Sequence, residues 1–222
     1  YAPKLAARTI KAISNDMAKS FISANGNSSF FDVYEKLEKK ELLFTVDILG
    51  EAVVSEAEAD IFLQHDLGML EYLNKSIGKV KPREEKFVDR FGKPLINLST
   101  KLTSKFSGFD PIAPDHIAKK VLSRFRPILK KAKEIGAFVN VDVEQYAYRD
   151  LTFDIIKCVL LEDEFKDFND AGIVVQANLK DSYEHLEDFL GWCRDNNKRP
   201  TIRLVKGAYW DHEVTVAQRN GW

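Results

Sequence analysis

Five short apolar runs alternate with longer amphipathic segments along most of this chain, and that alternation restricts the fold more than any other feature. The runs fall at residues 42–49, 94–102, 137–143, 172–179 and 200–205. Each is rich in β-branched or aromatic residues and apolar on both faces, as a strand covered on both sides of a parallel sheet should be. Helical periodicity fills the gaps at residues 55–77, 114–136, 150–161 and 182–196, the first opened by the capping-box sequence Ser55-Glu56-Ala57-Glu58. Strand–helix alternation of this kind makes βαβ units. Asp110-Pro111-Ile112-Ala113-Pro114 reads as a loop and helix entry, and the charged stretch 79–90 as a surface excursion.

Ahead of the first run the texture is helical. Residues 4–22 carry Leu5, Ile10, Ile13, Met17 and Phe21 at helical spacing, stopped by Asn25-Gly26-Asn27, and residues 29–41 read as a second, more charged helix. The predicted domains are therefore a helical arm over 1–41 and a βα region over 42–222. Two architectures suit that region, an open doubly wound sheet and a (β/α)8 TIM-like barrel. No GxGxxG or GxxxxGK[ST] follows any run, whereas nucleotide-binding open sheets usually carry one. Polar residues instead gather at the C-terminal ends of the runs, where barrels build their active sites. These two observations favour an α/β barrel with about five of its eight units present. Both ends of the chain, Tyr1 and Trp222, read as cut, the second in the middle of a helical pattern.

Composition excludes several classes. Thirty-three Lys and Arg against thirty-four Asp and Glu give a net charge of −1, which lacks the basic footprint of a nucleic-acid binder. No stretch reaches the roughly 18 apolar residues of a membrane span. Cys158 and Cys193 form no CxxC pair and read as buried or half-buried free thiols, which fits a reducing, cytoplasmic setting. No signal-peptide pattern opens the chain. Lys130-Lys131-Ala132-Lys133 reads as a solvated helix face.

The strand ends hold the chemistry. They supply Asp47 and Glu51, then Lys101, then Asp142 and Glu144, then Gln176, then Arg203 and Lys206. A charged or amide group inside a buried strand costs several kcal/mol unless it is paired. A ligand-free salt-bridge network is one explanation; five ends carrying polar groups aimed the same way favour a site. His65, His116, His185 and His212 fall outside the strand ends, and no Ser or Cys nucleophile sits beside a base, so no metal is expected. Cationic and amide donors suit an anionic substrate group and an electron-rich cofactor ring, the needs of hydride chemistry. Arg203 and Gln176 are candidate ring donors and Lys101 a candidate carboxylate clamp. In the exit of the fifth run, Gly207-Ala208 lets backbone approach a ligand closely.

Residues 202–213 resemble the signature strand of the bacterial proline dehydrogenases, especially those of the bifunctional proline utilisation A enzymes. The resemblance continues upstream in order: Phe44-Thr45-Val46-Asp47-Ile48-Leu49-Gly50-Glu51-Ala52 resembles the first barrel strand, Ser99-Thr100-Lys101-Leu102-Thr103 the second, Asn140-Val141-Asp142 the third and Val175-Gln176-Ala177 the fourth. It implies FAD-dependent oxidation of L-proline to 1-pyrroline-5-carboxylate, with hydride passing to flavin N5. On this resemblance Lys101 binds the substrate carboxylate, and Asp142 stands at the catalytic centre beside it. Arg203 lies at N5, and Gln176 hydrogen-bonds the isoalloxazine. Val143, Val205, Lys206, Gly207, Ala208, Tyr209 and Trp210 contact the cofactor, and Glu51 gates the site by pairing with an arginine. It also implies a quinone acceptor, peripheral membrane association of the parent enzyme and a fused NAD-dependent aldehyde dehydrogenase module. The gate's arginine, the strand with the active-site tyrosine and the last barrel units have no counterpart before Trp222. The 222 residues are therefore expected to be inactive alone. The alternatives are a related flavin barrel acting on hydroxyproline, or an inactive barrel fragment with an open edge.

Overall fold

The computed structural model describes residues 2–18, 27–40, 42–50, 52–80, 92 and 94–221. Two compact units divide the chain, Tyr1–Phe44 and Thr45–Trp222. The first contains α1 (Ala2–Ala18) and α2 (Asn27–Glu38). Leu5, Ile10, Ile13 and Met17 lie on one face of α1 and are exposed. Phe30 and Tyr34, one turn apart on α2, are buried and each meets the Phe44 ring edge-on at 5.8 Å. The expected end of the first helix, with Phe21 and the stop at Asn25-Gly26, lies outside the described residues.

The second unit alternates β1 (Val46–Asp47), α3 (Glu56–Val80), β2 (Asn97–Lys101), α4 (Pro114–Ile135), β3 (Phe138–Asp142), α5 (Arg149–Leu161), β4 (Ala171–Gln176), α6 (Ser182–Asp195), β5 (Thr201–Val205) and α7 (Trp210–Asn220). Every strand pairing is parallel and the spatial order is β1-β2-β3-β4-β5. A doubly wound sheet reverses its order at a switch point, whereas a barrel wall adds each strand beside the last. The order here is strictly sequential among the described strands, which is the barrel's. The chain thus has an α/β architecture with five parallel strands of barrel type.

Local chemistry explains the boundaries. Ser55 Oγ accepts the Glu58 N–H at 3.2 Å, and Glu58 Oε2 accepts the Val54 N–H at 2.9 Å, so the capping box closes one residue further out than its usual form. Pro114 opens α4 in its first turn, where no N–H is needed. The first run is the main departure. Only Val46 and Asp47 of the expected 42–49 form a strand, because β1 pairs with β2 through those two positions alone, and Leu42, Leu43 and Leu49 remain exposed. The helical pattern after β5, read as cut in its middle, forms the eleven residues of α7 and ends at Asn220, before Gly221 in the left-handed conformation.

Leu98, Val139, Val141, Ile173 and Val175 face the helices and are buried with Leu70 and Leu73 of α3, Val121, Phe125 and Ile128 of α4, Val159 of α5 and Phe189 of α6. Each such side chain contributes about 1.5–3 kcal/mol of burial. β4 is buried along its whole length, as expected of a strand covered on both sides, but β5 is not: Leu204 is 65% exposed. Among the described residues β5 pairs only with β4, at the edge of the sheet. One smaller expectation is also corrected. Cys193 is buried, but Cys158 is exposed, because it shares the outward stripe of α5 with Asp154 and Leu161. The lysine run lies on a solvated helix face as expected, with Lys130 and Lys133 exposed, and it carries surface contacts: Lys130 pairs with Glu164 at 3.0 Å, Lys131 with Glu134 at 3.4 Å, and Lys133 donates to the Glu164 carbonyl at 2.6 Å.

Candidate active site

Strand register decides which side chains meet. Asp47, Ser99, Asn140, Gly172 and Thr201 stand opposite one another across the sheet. One layer nearer the strand C-termini, Lys101 pairs with Asp142 and Val174 with Arg203. Successive side chains alternate faces, so Asp47, Lys101, Asp142, Gln176 and Arg203 all project from the face opposite the helices. The polar strand ends come together there as expected.

The centre is the Asp142 carboxylate. Its Oδ1 accepts from Ser99 Oγ at 2.8 Å, Asn140 Nδ2 at 2.8 Å and Arg203 NH1 at 3.2 Å. Asn140 also donates to Ser99 Oγ at 3.0 Å. Gly172 makes room for this: a Cβ there would lie 3.0 Å from Asn140 Oδ1 and 2.6 Å from the Phe138 ring. Arg203 reaches Asp142 across β4, passing Val174, which is too short to block it. A second bond from NH1 goes to Ser99 Oγ at 3.2 Å, and NH2 lies 3.5 Å from Thr45 Oγ1.

Lys101 is surrounded by carboxylates. Its Nζ lies 3.3 Å from Asp47 Oδ1, 3.3 Å from Glu144 Oε1 and 3.7 Å from Asp142 Oδ2, with only 11% of the side chain exposed. Burial works against the ammonium, but Asp47, Glu144 and Asp142 outweigh it and raise its pKa above the ordinary value. Asp142 is also raised: burial dominates and Asp47 adds repulsion, against the opposing pull of Ser99, Lys101 and Arg203. Three carboxylates share two cations here, so the cluster holds an excess of negative charge.

The rim is built by the β5 exit. Gln176, 4% exposed, donates from Nε2 to the Glu144 carbonyl at 2.9 Å and accepts the Ala208 N–H on Oε1 at 2.8 Å. Its amide ties the β3 exit to the β5 exit and keeps one N–H and one lone pair for a further partner. Tyr209 Oη donates to Glu144 Oε2 at 2.9 Å. Gly207 has φ 131°, and the space its missing Cβ leaves is filled by Asn178, so the close approach it permits is to that side chain rather than to open space. Asn178 Oδ1 is buried there without a hydrogen-bond partner. Val143 is buried and Val205 half-buried, whereas Lys206, Ala208 and Trp210 are exposed around the mouth. Glu51, the expected gate, lies outside the described residues.

Ser99, Asn140 and Glu144 were not singled out as partners of the charged pair, although period-two spacing from Lys101 and Asp142 puts the first two on the same face. A narrow cavity beside Lys101 and Asp142 is lined further by Ala52, Thr103, Glu144 and Tyr148. A larger cleft opens elsewhere, among Arg149, Asp150, Asp181 and His185 on α5, α6 and the loop before α6. It lies on the helical side of the sheet, away from the strand-end cluster. Among the described residues no group of three His, Cys, Asp or Glu is arranged to hold a metal ion.

Comparisons with known proteins agree with this fold. The family model for proline dehydrogenase matches residues 31–222. Bifunctional protein PutA of Escherichia coli is 25% identical over 207 residues, covering 92% of this chain and 15% of that protein. Proline dehydrogenase 1 of Bacillus subtilis is 28% identical over 194 residues, covering 86% of this chain and 52% of that protein. The crystal structure of proline utilization A from Bdellovibrio bacteriovorus inactivated by N-propargylglycine superposes with a TM-score of 0.90 at 36% identity, over 98% of this chain and 23% of that one. The chain therefore spans about half or less of the length of the relatives it matches.

Proposed function

The chain belongs to the proline dehydrogenase family, and we propose that it supplies the substrate-clamping wall of an enzyme that oxidises L-proline to 1-pyrroline-5-carboxylate with FAD. In this reading residues 42–222 belong to the barrel and residues 1–41 form an arm ahead of it. The observation that carries the reading is the single layer of Lys101, Asp142 and Arg203 on one face of a parallel sheet, with both cations on the central carboxylate.

The donor set fits a flavin. Arg203 leaves 36% of its side chain exposed beyond its bonds to Asp142 and Ser99. The free capacity of the Gln176 amide and the exposed Lys206 offer further polar contacts around the same mouth. Arg203, Gln176 and residues 205–210 are the groups that would hold the ring, with Val143 buried at the β3 exit. When bound, the flavin would accept the hydride, and with it both electrons, while the proton from the substrate nitrogen passes to solvent.

The remaining work falls to side chains. Lys101 binds the proline carboxylate and fixes the orientation of the reacting carbon, which is worth far more than simple affinity. It exchanges one of its three carboxylate partners for the substrate's; Asp47, half exposed at 3.3 Å, is the cheapest to displace. Asp142, held by three donors on Oδ1, keeps Arg203 and Lys101 at a fixed separation. Glu51 is proposed as the gate. A quinone takes the electrons onward at the membrane surface, the protein working from the cytoplasm with an NAD-dependent aldehyde dehydrogenase module fused in the parent. No helix among the described residues is long and apolar enough to cross a membrane.

The test is flavin content and proline-dependent dye reduction by the 222-residue chain and, beside it, by the longest chain its gene encodes, with hydroxyproline as the competing substrate. Flavin binding with proline turnover in the longer chain supports the reading. A colourless, oligomerising protein in both forms, or turnover of hydroxyproline alone, overturns it.

A further inference from the structure

On the helical side of β2, directly behind the candidate site, lies a buried polar cluster that the proposed reaction does not use. Asp66, from the middle of α3, is 2% exposed. Lys105 ends the 3-10 turn Leu102–Lys105 that follows β2, and it is completely buried. Lys105 Nζ donates to Asp66 Oδ2 at 2.7 Å and to Ser104 Oγ at 2.9 Å. Thr100 Oγ1 donates to the same Asp66 oxygen at 2.6 Å. Ser104 Oγ in turn donates to the carbonyl of Lys101 at 2.7 Å.

A buried ion pair is poor evidence for stability, since well-packed apolar residues of the same volume serve at least as well. Its bonds are directional, however, and these converge on Lys101 from both sides: on the side chain before it and on its own carbonyl. β2 stops at Lys101, so the sheet ladder does not hold the chain beyond this point. A second clamp holds the far end of the turn. Arg124 of α4 donates to the Lys105 carbonyl at 3.0 Å and to Glu56 Oε2 at 2.8 Å, while Ser107 Oγ donates to Glu56 Oε1 at 2.8 Å.

We propose that Asp66, Lys105, Ser104 and Thr100 are positioning residues that aim the Lys101 ammonium into the site. The proposal rests on the reading of Lys101 as the substrate's carboxylate clamp. An extended lysine side chain places Nζ far from the backbone, so a tilt of about 10° at Cα moves the charge by about 1 Å, and a misplacement of about 1 Å costs on the order of a hundredfold in rate. Three carboxylates attract that ammonium from different directions, so the backbone must choose among them. Burial lowers the Lys105 pKa, against the pull of Asp66, and the charge of Lys101 lowers it further. Two like charges are thus held on opposite sides of one strand end.

The test uses two double variants of the flavin-loaded protein. Thr100→Val with Ser104→Ala cuts both links to Lys101 and leaves the Asp66–Lys105 pair. Asp66→Asn with Lys105→Met removes the ion pair and leaves an oxygen for Thr100. The readouts are the Lys101 ammonium pKa, followed through its ε-carbon by NMR, the thermal midpoint, and KM and kcat for proline. In the first variant, which leaves the neighbouring charges in place, the Lys101 pKa falls toward the ordinary 10.5, and in both variants KM for proline rises about tenfold or more. A lowered midpoint with an unchanged Lys101 pKa overturns the proposal and leaves the cluster as core. A fallen pKa with unchanged KM supports the positioning role and refutes the carboxylate clamp instead. Should the ion-pair variant not fold, Thr100→Val alone, nearly isosteric in a strand, decides by the same pKa readout.

Discussion

Replacing Lys101 by Met keeps the length of the side chain and removes its charge, which separates two roles. At 3.3 Å, with an effective dielectric of about 20, each pairing with Asp47 or Glu144 has a gross attraction of about 5 kcal/mol. Desolvation cancels most of that, and breaking a buried pair costs about 3–5 kcal/mol. Asp47 is half exposed and Glu144 29% exposed, so solvent screening reduces the expected loss for Lys101→Met to about 1–3 kcal/mol. The effect on the substrate is separate. Loss of a charge-assisted hydrogen bond of about 1.5–3 kcal/mol raises KM for proline by about 10- to 150-fold, with flavin retained. The pH dependence has a definite sign. The folded ammonium binds its proton more tightly than the unfolded chain does, so its stabilisation is complete below pH 10.5 and fades as pH rises through the higher folded value. Denaturant titrations at neutral pH and above pH 10.5, together with steady-state dye reduction, measure both effects. An unchanged KM with full flavin occupancy refutes the clamp, and a stability gap that persists undiminished at the most alkaline pH refutes the electrostatic account.

Arg203→Met loses flavin or shifts its reduction potential; absorbance spectra and potentials identical to the parent's would count against the ring contact. Gly207→Ala puts a Cβ where φ is 131° and where Asn178 already sits, and it costs about 1–3 kcal/mol, read as a lower thermal midpoint. Burial raises the Glu56 carboxyl, but Arg124 and Ser107 outweigh it and hold the pKa at about 2. Its stabilisation is therefore present above pH 4.5 and lost as pH falls toward 2. With 45% of the side chain exposed, Glu56→Gln costs less than about 1 kcal/mol at pH 7, and acid titration shows the two proteins converging. A gap that widens in acid refutes the assignment.

How far the sequence reaches is clear from particular residues. β4 was legible because Val174 and Val175 are apolar on both faces, and α4 because a proline opens it and Gly136 follows its end. β1 was not, since the apolar run 42–49 contains more hydrophobic residues than its neighbour strand pairs. Cys158 reads as buried or half-buried in sequence because composition does not say which helix stripe faces solvent. Lys105 was the larger omission. A lysine just past a strand reads as surface, and nothing local announces that Asp66, thirty-nine residues earlier, waits in α3 to bury it.

The order of apolar runs and helical segments, with the polar residues at the run ends, determined a parallel α/β fold and the list of Lys101, Asp142, Gln176 and Arg203. These follow from local periodicity and from the cost of burying unpaired polar groups, both of which a linear chain already expresses. Only the tertiary structure decided who pairs with whom: that Arg203 crosses β4 to reach Asp142, that Gln176 ties two loop exits together, and that Lys101 is braced from behind. Such pairings depend on strand register and on helices returning across the sheet, and distances between residues far apart in sequence do not exist until the chain has folded.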